Sequence, residues 1–299
     1  MPPWSHRLVV RTLASHAGNR GSSPRGVATN ACNHRRFSLM APISLNPIGI
    51  AHSPFHTSHE VPRHGAPATI EIFPAYRNAL DGIDSCSHIW IIGFFHNAAR
   101  DLLQARPRKS SPSSPPRGVF SMRSPVRPNP LGLTCARLLE RQGSTLLLDR
   151  LDFQDKTPVV DIKPYSPGWD LILSASGIHR YDPSRYSEEE LLLALQHDAA
   201  NALGPSHPSP ARSAIIQALA SLILHHVDIR SPSTHFAIPI PDERVDLLMG
   251  STAASFGNQR LHILSLPDSV LLRSWTPRIA FDVSICSGSP QLLPLSPPG

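Results

Sequence analysis

No run of apolar residues in this 299-residue chain approaches the roughly 20 needed to cross a bilayer, so no membrane-spanning helix is expected. The four cysteines, Cys32, Cys86, Cys135 and Cys286, are scattered, with neither a C-x-x-C pair nor the spacing of a disulfide framework. That usage fits a reducing compartment such as the cytoplasm and argues against a structural zinc site. No P-loop, G-x-G-x-x-G or G-x-S-x-G occurs, so a Rossmann enzyme is not expected. Acids are missing from Met1 to His59, while six arginines (Arg7, Arg11, Arg20, Arg25, Arg35 and Arg36) fall before Met40. The overall charge of +6 suggests a polyanionic partner, yet without residues 1–39 the remainder is formally neutral. Two readings of this leader stand: an organellar transit peptide by composition, or a misplaced start with translation beginning at Met40. In either, residues 1–42 lie outside the fold as a disordered leader.

What remains is rich in turns, with 32 prolines and 17 glycines. The stretch 68–73, A-T-I-E-I-F, alternates with period two and predicts a strand; 74–82 predicts a helical turn. The apolar run 87–96, S-H-I-W-I-I-G-F-F-H, predicts a strand buried on both faces. Two more strands are expected over 144–153 and 157–165, joined by a turn at 154–156. Short strands with few helices between them imply a mainly β architecture, a closed or nearly closed barrel over residues 43–183. From about Ser187 the text changes. Ser187 followed by Glu190 matches a capping box opening an amphipathic helix, and Ser209-Pro210 starts a second helix to about 226. Residues 184–299 are therefore expected to be a separate α+β region.

The chemistry concentrates in G-V-F-S-M-R-S-P-V-R-P-N-P-L-G-L-T-C-A-R, residues 118–137. Arg123 and Arg127 sit four apart on a backbone stiffened by Pro125, Pro128 and Pro130, and Asn129 is held between two prolines. Such stiffness suits a binding loop that presents two guanidiniums and an amide to a phosphate or carboxylate. The loop lies in an acid-free span from Leu102 to Leu139 that also holds Arg106, Arg108, Lys109, Arg117 and Arg137. In D-I-K-P-Y (161–165), Asp161, Lys163 and Tyr165 share one face at period two, either as a structural ion pair or as a proton acceptor beside substrate-holding groups. His96 and Asn97 follow the buried strand and can cap a pocket mouth. Asp149, Asp152 and Asp155 lack histidine companions, and His225-His226 point apart, so no metal site is expected.

Five stretches occur in order: P-I-G-I-A-H-S-P-F with V-P-R (47–63), G-I-D-S-C-S-H-I-W (82–90), F-F-H (94–96), R-G-V-F-S-M-R-S-P-V-R-P-N-P-L-G-L (117–133) and T-P-V-V-D-I-K-P-Y (157–165). Together they resemble the TrmO, or TsaA-like, family over roughly residues 45–170. The resemblance implies a small β-barrel that binds S-adenosylmethionine, works as a homodimer, and methylates N6 of the threonylcarbamoylated adenosine at tRNA position 37. Matched by motif, the cofactor positions would be Arg63, His64, His96, Asn97, Arg123, Leu133, Asp149, Arg150, Leu151 and Asp152. Asn129, Asp161, Lys163 and Tyr165 would lie near the transfer site, with Arg117 and Arg127 on the substrate. Residues 98–117 and the region beyond 183 depart from the family pattern. Two alternatives stay open: a barrel of this type acting on a small metabolite, and a non-catalytic cofactor- or RNA-binding module.

Overall fold

The computed structural model describes residues 8–9, 43–62, 64–106, 114–175, 186–204, 209–286 and 289–297. Six strands form the main sheet of the first unit: β1 Gly49–His52, β2 Ala66–Ile72, β3 His88–Phe94, β4 Leu131–Gln142, β5 Thr145–Leu151 and β6 Thr157–Pro164. They close a barrel in the order β6-β1-β2-β5-β4-β3, every neighbouring pair antiparallel. Closure pairs both edges of the sheet, which is how a set of short strands avoids an exposed ladder. Ala51, Ile70, Ile89, Ile91, Leu146, Leu148, Leu151 and Val159 fill the interior.

The expected strands are present, with one correction. Over most of β3 burial alternates: Ile89 and Ile91 point inward, while His88, Trp90 and Ile92 are half-buried on the outer wall; only at the head end are neighbours, Gly93 and Phe94, both buried. The run is apolar on both faces, but a barrel wall has only one interior, so its second face is left for something else. The helical turn over 74–82 appears as a 3-10 segment, Pro74–Leu80. The turn at 154–156 places Lys156 at φ 62.

Two glycines shape the head of the barrel, the end where β3 finishes and β4 begins. A Cβ on Gly93 would lie 2.4 Å from the Phe153 ring, and one on Gly132 would lie 2.3 Å from the Phe95 ring. Phe95 and Phe153 meet edge to face, with centroids 5.2 Å apart, and plug this end.

The second unit begins at Ser166, not near residue 184 as the composition change suggests. The physical reason is local. The Ser255 hydroxyl donates to the Leu173 carbonyl, the Asn258 amide donates to the Ala175 carbonyl at 3.2 Å, and Leu173 packs on Gly257. The helices α1 Glu188–Leu203 and α2 Pro210–Leu224 stand as expected, α1 with its capping box closed between Ser187 and Glu190. A further helix, α3 Glu243–Thr252, is one that sequence reasoning does not single out within the α+β region; the Asp242 carboxylate accepts from the Arg244 N–H to start it. The strands β7 His235–Ile238, β8 Leu261–Ile263, β9 Leu272–Trp275, β10 Ala280–Cys286 and β11 Ser289–Leu295 form a sheet in the order β8-β7-β9-β10-β11. Leu195, Leu219, Phe236, Leu247, Leu272 and Val283 are among its buried contacts with the helices. Arg260, 2% exposed, donates to the carbonyls of Thr234, Ile229 and Thr252.

Candidate functional site

Main-chain pairing between β4 and β5 runs only from the hairpin to Leu138 and Leu148. Beyond that point the two strands are joined by side chains. Asp149 accepts the N–H of Arg137 at 2.7 Å, Arg150 donates to the Cys135 carbonyl at 3.3 and 3.4 Å, and the Thr134 hydroxyl donates to Asp152. Backbone groups that have lost a ladder partner need another, and the D-R-L-D side chains supply it. Leu151 itself is fully buried in the barrel core, so of the four it can offer a ligand only its main chain.

The neighbouring loops gather at this end. Gly65, at φ +72, rests its backbone against Leu151 and Asp152, which brings the turn carrying His64 beside the D-R-L-D stretch. The N–H of Phe95 donates to the Pro130 carbonyl at 2.8 Å, tying the start of the His96-Asn97 turn to the proline-rich loop; both His96 and Asn97 are exposed. Arg123 is exposed and donates to the carbonyl of Leu133, itself 45% exposed on the outer wall. His64, His96, Asn97, Arg123, Leu133 and the D-R-L-D stretch are thus tied to the head of the barrel and the β4–β5 gap. Arg63 lies outside the described residues.

Arg127 is a correction. Its guanidinium turns back into its own loop and donates to the carbonyls of Val119, at 2.9 Å, and Met122, while its Nε is buried without a partner among the described residues. Pro125, Pro128 and Pro130 bring carbonyls but no N–H groups, so the loop recruits an arginine to stay folded. The loop presents Arg123 and the exposed Asn129, not a pair of guanidiniums. Arg117 is exposed in a two-residue bridge with Gln104–Ala105.

The register of β6, β3 and β4 fixes a second set of residues on the outer wall. Asp161 stands opposite Ile92, which stands opposite Leu133; in the next row Lys163 stands opposite Trp90, which stands opposite Cys135. Directly opposed residues share a face, so both rows point out of the barrel. Asp161 accepts the N–H of Ile162 at 2.9 Å and pairs with the Lys163 ammonium at 2.9 Å. Tyr165 donates its N–H to the His88 carbonyl and packs its ring against Trp90 and His88. Leu133 and Asp161 are two strand spacings apart, about 10 Å.

Sequence reasoning passed over Trp90, Thr134 and Cys135. The signal for Trp90 was the alternation with Ile89 and Ile91, hidden by an apolar residue at every position. At the opposite, foot end a cavity of about 390 Å³ is lined by Ile48, Ile72, Tyr76, Leu80, Cys86 and Ile89, and Asp161 is also among its lining residues. None of the head-end positions lines it. Among the described residues no three His, Cys, Asp or Glu side chains group as metal ligands, and no helix is long and apolar enough to cross a membrane.

Residues 50–171 match the family model described as the tRNA-methyltransferase O N-terminal domain. An S-adenosyl-L-methionine-binding protein of Archaeoglobus fulgidus is 39% identical over 137 residues, covering 44% of this chain and 96% of that protein. The human tRNA (adenine(37)-N6)-methyltransferase is 31% identical over 162 residues, covering 51% of this chain and 37% of the human one. The crystal structure of TrmO from Pseudomonas aeruginosa is 34% identical, with a TM-score of 0.38; the alignment covers 46% of this chain and 62% of that one. With its barrel matched to the family model and nearly the whole length of a 39% identical relative covered, the chain belongs to the tRNA-methyltransferase O family.

Proposed function

We propose that this protein transfers a methyl group from S-adenosylmethionine to N6 of an adenosine in tRNA, and that its substrate is the threonylcarbamoylated adenosine at position 37. The observation that carries the reading is the outer-wall row Leu133, Ile92, Asp161, which joins a head-end set suited to the cofactor to a set suited to the acceptor. The names of the relatives support the cofactor and the tRNA. On the same reading, which here rests on the family resemblance, the working form is a cytoplasmic homodimer.

The donor set fits the cofactor chemically. One guanidinium N–H of Arg123 serves the Leu133 carbonyl, and a guanidinium carries five, so others remain for an amino-acid carboxylate. Asp152 and Asn97 supply an acceptor and an amide for ribose and adenine, and His64 and His96 border them. When bound, the cofactor supplies an electrophilic methyl on a sulfonium. The protein's part is placement. With the donor held there, N6 would bond to the methyl carbon as the carbon–sulfur bond breaks, and Asp161 would receive the N6 proton directly or through water. Lys163 holds Asp161 toward the outer wall.

The test uses the full chain, S-adenosylmethionine labelled in the methyl group, and tRNA with and without the threonylcarbamoyl group. Label entering only the modified tRNA is the expected result. Label entering both tRNAs equally would remove the threonylcarbamoyl requirement. Cofactor binding without transfer to either would sink the reading and favour a metabolite enzyme or a binding module.

A further inference from the structure

The outer wall of β3 carries an aromatic side chain that the functional reading has not used. Trp90 is half-buried, in the row between Lys163 and Cys135. Its aromatic neighbour, Tyr165, meets it at 5.9 Å with the ring planes 49° apart, so the phenol braces the indole without lying flat over it. Tyr165 is itself held from the other side by His88, 6.4 Å away, and by its N–H bond to the His88 carbonyl. The indole is thus fixed in orientation. Cys135, on the β4 side, is a small neighbour in the register.

We infer that Trp90 is the stacking seat for the purine that receives the methyl group. This rests on the functional reading above and names a residue within it. Three observations argue for a nucleobase. Asp161 is the diagonal neighbour of Trp90 across the β3–β6 pair, about 7–8 Å away, so a base lying on the indole brings an exocyclic amine toward the carboxylate. The row is cationic at one end, with Lys163 beside Trp90, and Arg137 stands opposite His88 one row further on. The barrel as a whole suits a polyanion: residues 43–165 hold fourteen Lys and Arg against ten Asp and Glu, whereas residues 166–299 hold eight against twelve. Indole–base stacking is tolerant of sequence and geometrically firm, which is what a transfer that depends on placement requires. Trp90 would be a positioning residue, acting on the base while Asp161 receives the proton.

The experiment compares the full-length chain with Trp90→Leu, which keeps apolar area but removes the π face, and Trp90→Phe, which keeps a smaller face. Methyl transfer to modified tRNA is followed against tRNA concentration, with cofactor affinity, thermal midpoint and oligomeric state measured on each variant. Quenching of indole emission on adding tRNA is read in the wild type and Trp90→Phe. The expected outcome is a rise in the tRNA concentration at half-saturation of about ten- to hundredfold for Trp90→Leu, largely restored in Trp90→Phe. Cofactor affinity and oligomeric state stay unchanged, and most of the tRNA-dependent quenching disappears in Trp90→Phe. Equal behaviour of Leu and Phe would overturn the stacking, as would quenching by S-adenosylmethionine alone. A shift of Trp90→Leu to a smaller oligomer would assign the indole to an interface and overturn it too. If the wild type transfers no methyl to RNA but shows Trp90-dependent quenching by tRNA, the functional reading fails and takes with it the role of Trp90 in transfer, leaving only base stacking on the indole. Transfer with identical kinetics in all three proteins does the reverse.

Discussion

Asp161 makes two contacts that constrain what it can do. Its carboxylate accepts the N–H of Ile162 just past the irregularity in β6 pairing, and it holds the Lys163 ammonium. An amide at this position keeps the first contact, because its oxygen still accepts from the Ile162 N–H, and loses the second. An exposed ion pair contributes about 0–1 kcal/mol, so Asp161→Asn is expected to shift the thermal midpoint by no more than a few degrees. Turnover should fall about a hundredfold or more if the carboxylate receives the N6 proton, with cofactor affinity unchanged. Wild-type turnover in Asp161→Asn would remove this residue from the chemistry and leave it as a clamp on the strand. Side-chain direction was only partly legible at this scale. The period-two spacing of Asp161 and Lys163 puts them on one face in the sequence and in the fold. The spacing of Arg123 and Arg127 does not show that one of them is consumed by carbonyls of its own loop, because that demand comes from how the loop closes.

Among the elements, the head of β3 and β4 depends on two positions without a side chain. Gly93 faces the ring of Phe153 and Gly132 faces that of Phe95, each too closely for a methyl group. Neither glycine has a positive φ, so the requirement is one of space alone. Gly93→Ala must push Phe153 out of its edge-to-face contact or move the strand, at a cost of about 1–3 kcal/mol. The midpoint of denaturant unfolding should drop accordingly, and adding Phe153→Leu should recover part of the loss. A Gly93→Ala protein as stable as the wild type would mean that the plug is looser than its contacts indicate. Most barrel strands were legible because they alternate, as in A-T-I-E-I-F. Strand β3 was misjudged because its outer residues are apolar as well, so the pattern that distinguishes a wall from a buried strand is absent. Helix α3 was missed for the opposite reason: E-R-V-D-L-L-M-G-S-T follows a proline and is largely polar, and it becomes a helix by packing Leu247 and Leu248 into the core. The start of the second unit was placed late because the contacts holding 166–175 to it come from Ser255 and Asn258, some 80 residues on in the chain.

For the molecule as a whole, the neutral balance of residues 40–299 conceals a division of charge. The barrel carries an excess of four positive charges and the second unit an excess of four negative ones, by the counts of Lys, Arg, Asp and Glu in 43–165 and 166–299. Composition read over the whole chain could not show this, since the two cancel. A polyanionic substrate is therefore drawn to the barrel, and its affinity should fall with salt as counterions return to it. Arg117 and Arg278 are both exposed arginines, one in each unit, so they test this division without disturbing a core. Arg117→Ala is expected to weaken tRNA binding and to reduce the slope of log affinity against log salt by about one. Arg278→Ala, on the acidic unit, should leave both the affinity and the slope near those of the wild type. The measurement is a binding titration at several salt concentrations on all three proteins. A slope lowered by Arg278→Ala and untouched by Arg117→Ala would move the RNA contact to the second unit. Trp90 and Asp161 would then have to be explained by a smaller ligand at the barrel wall.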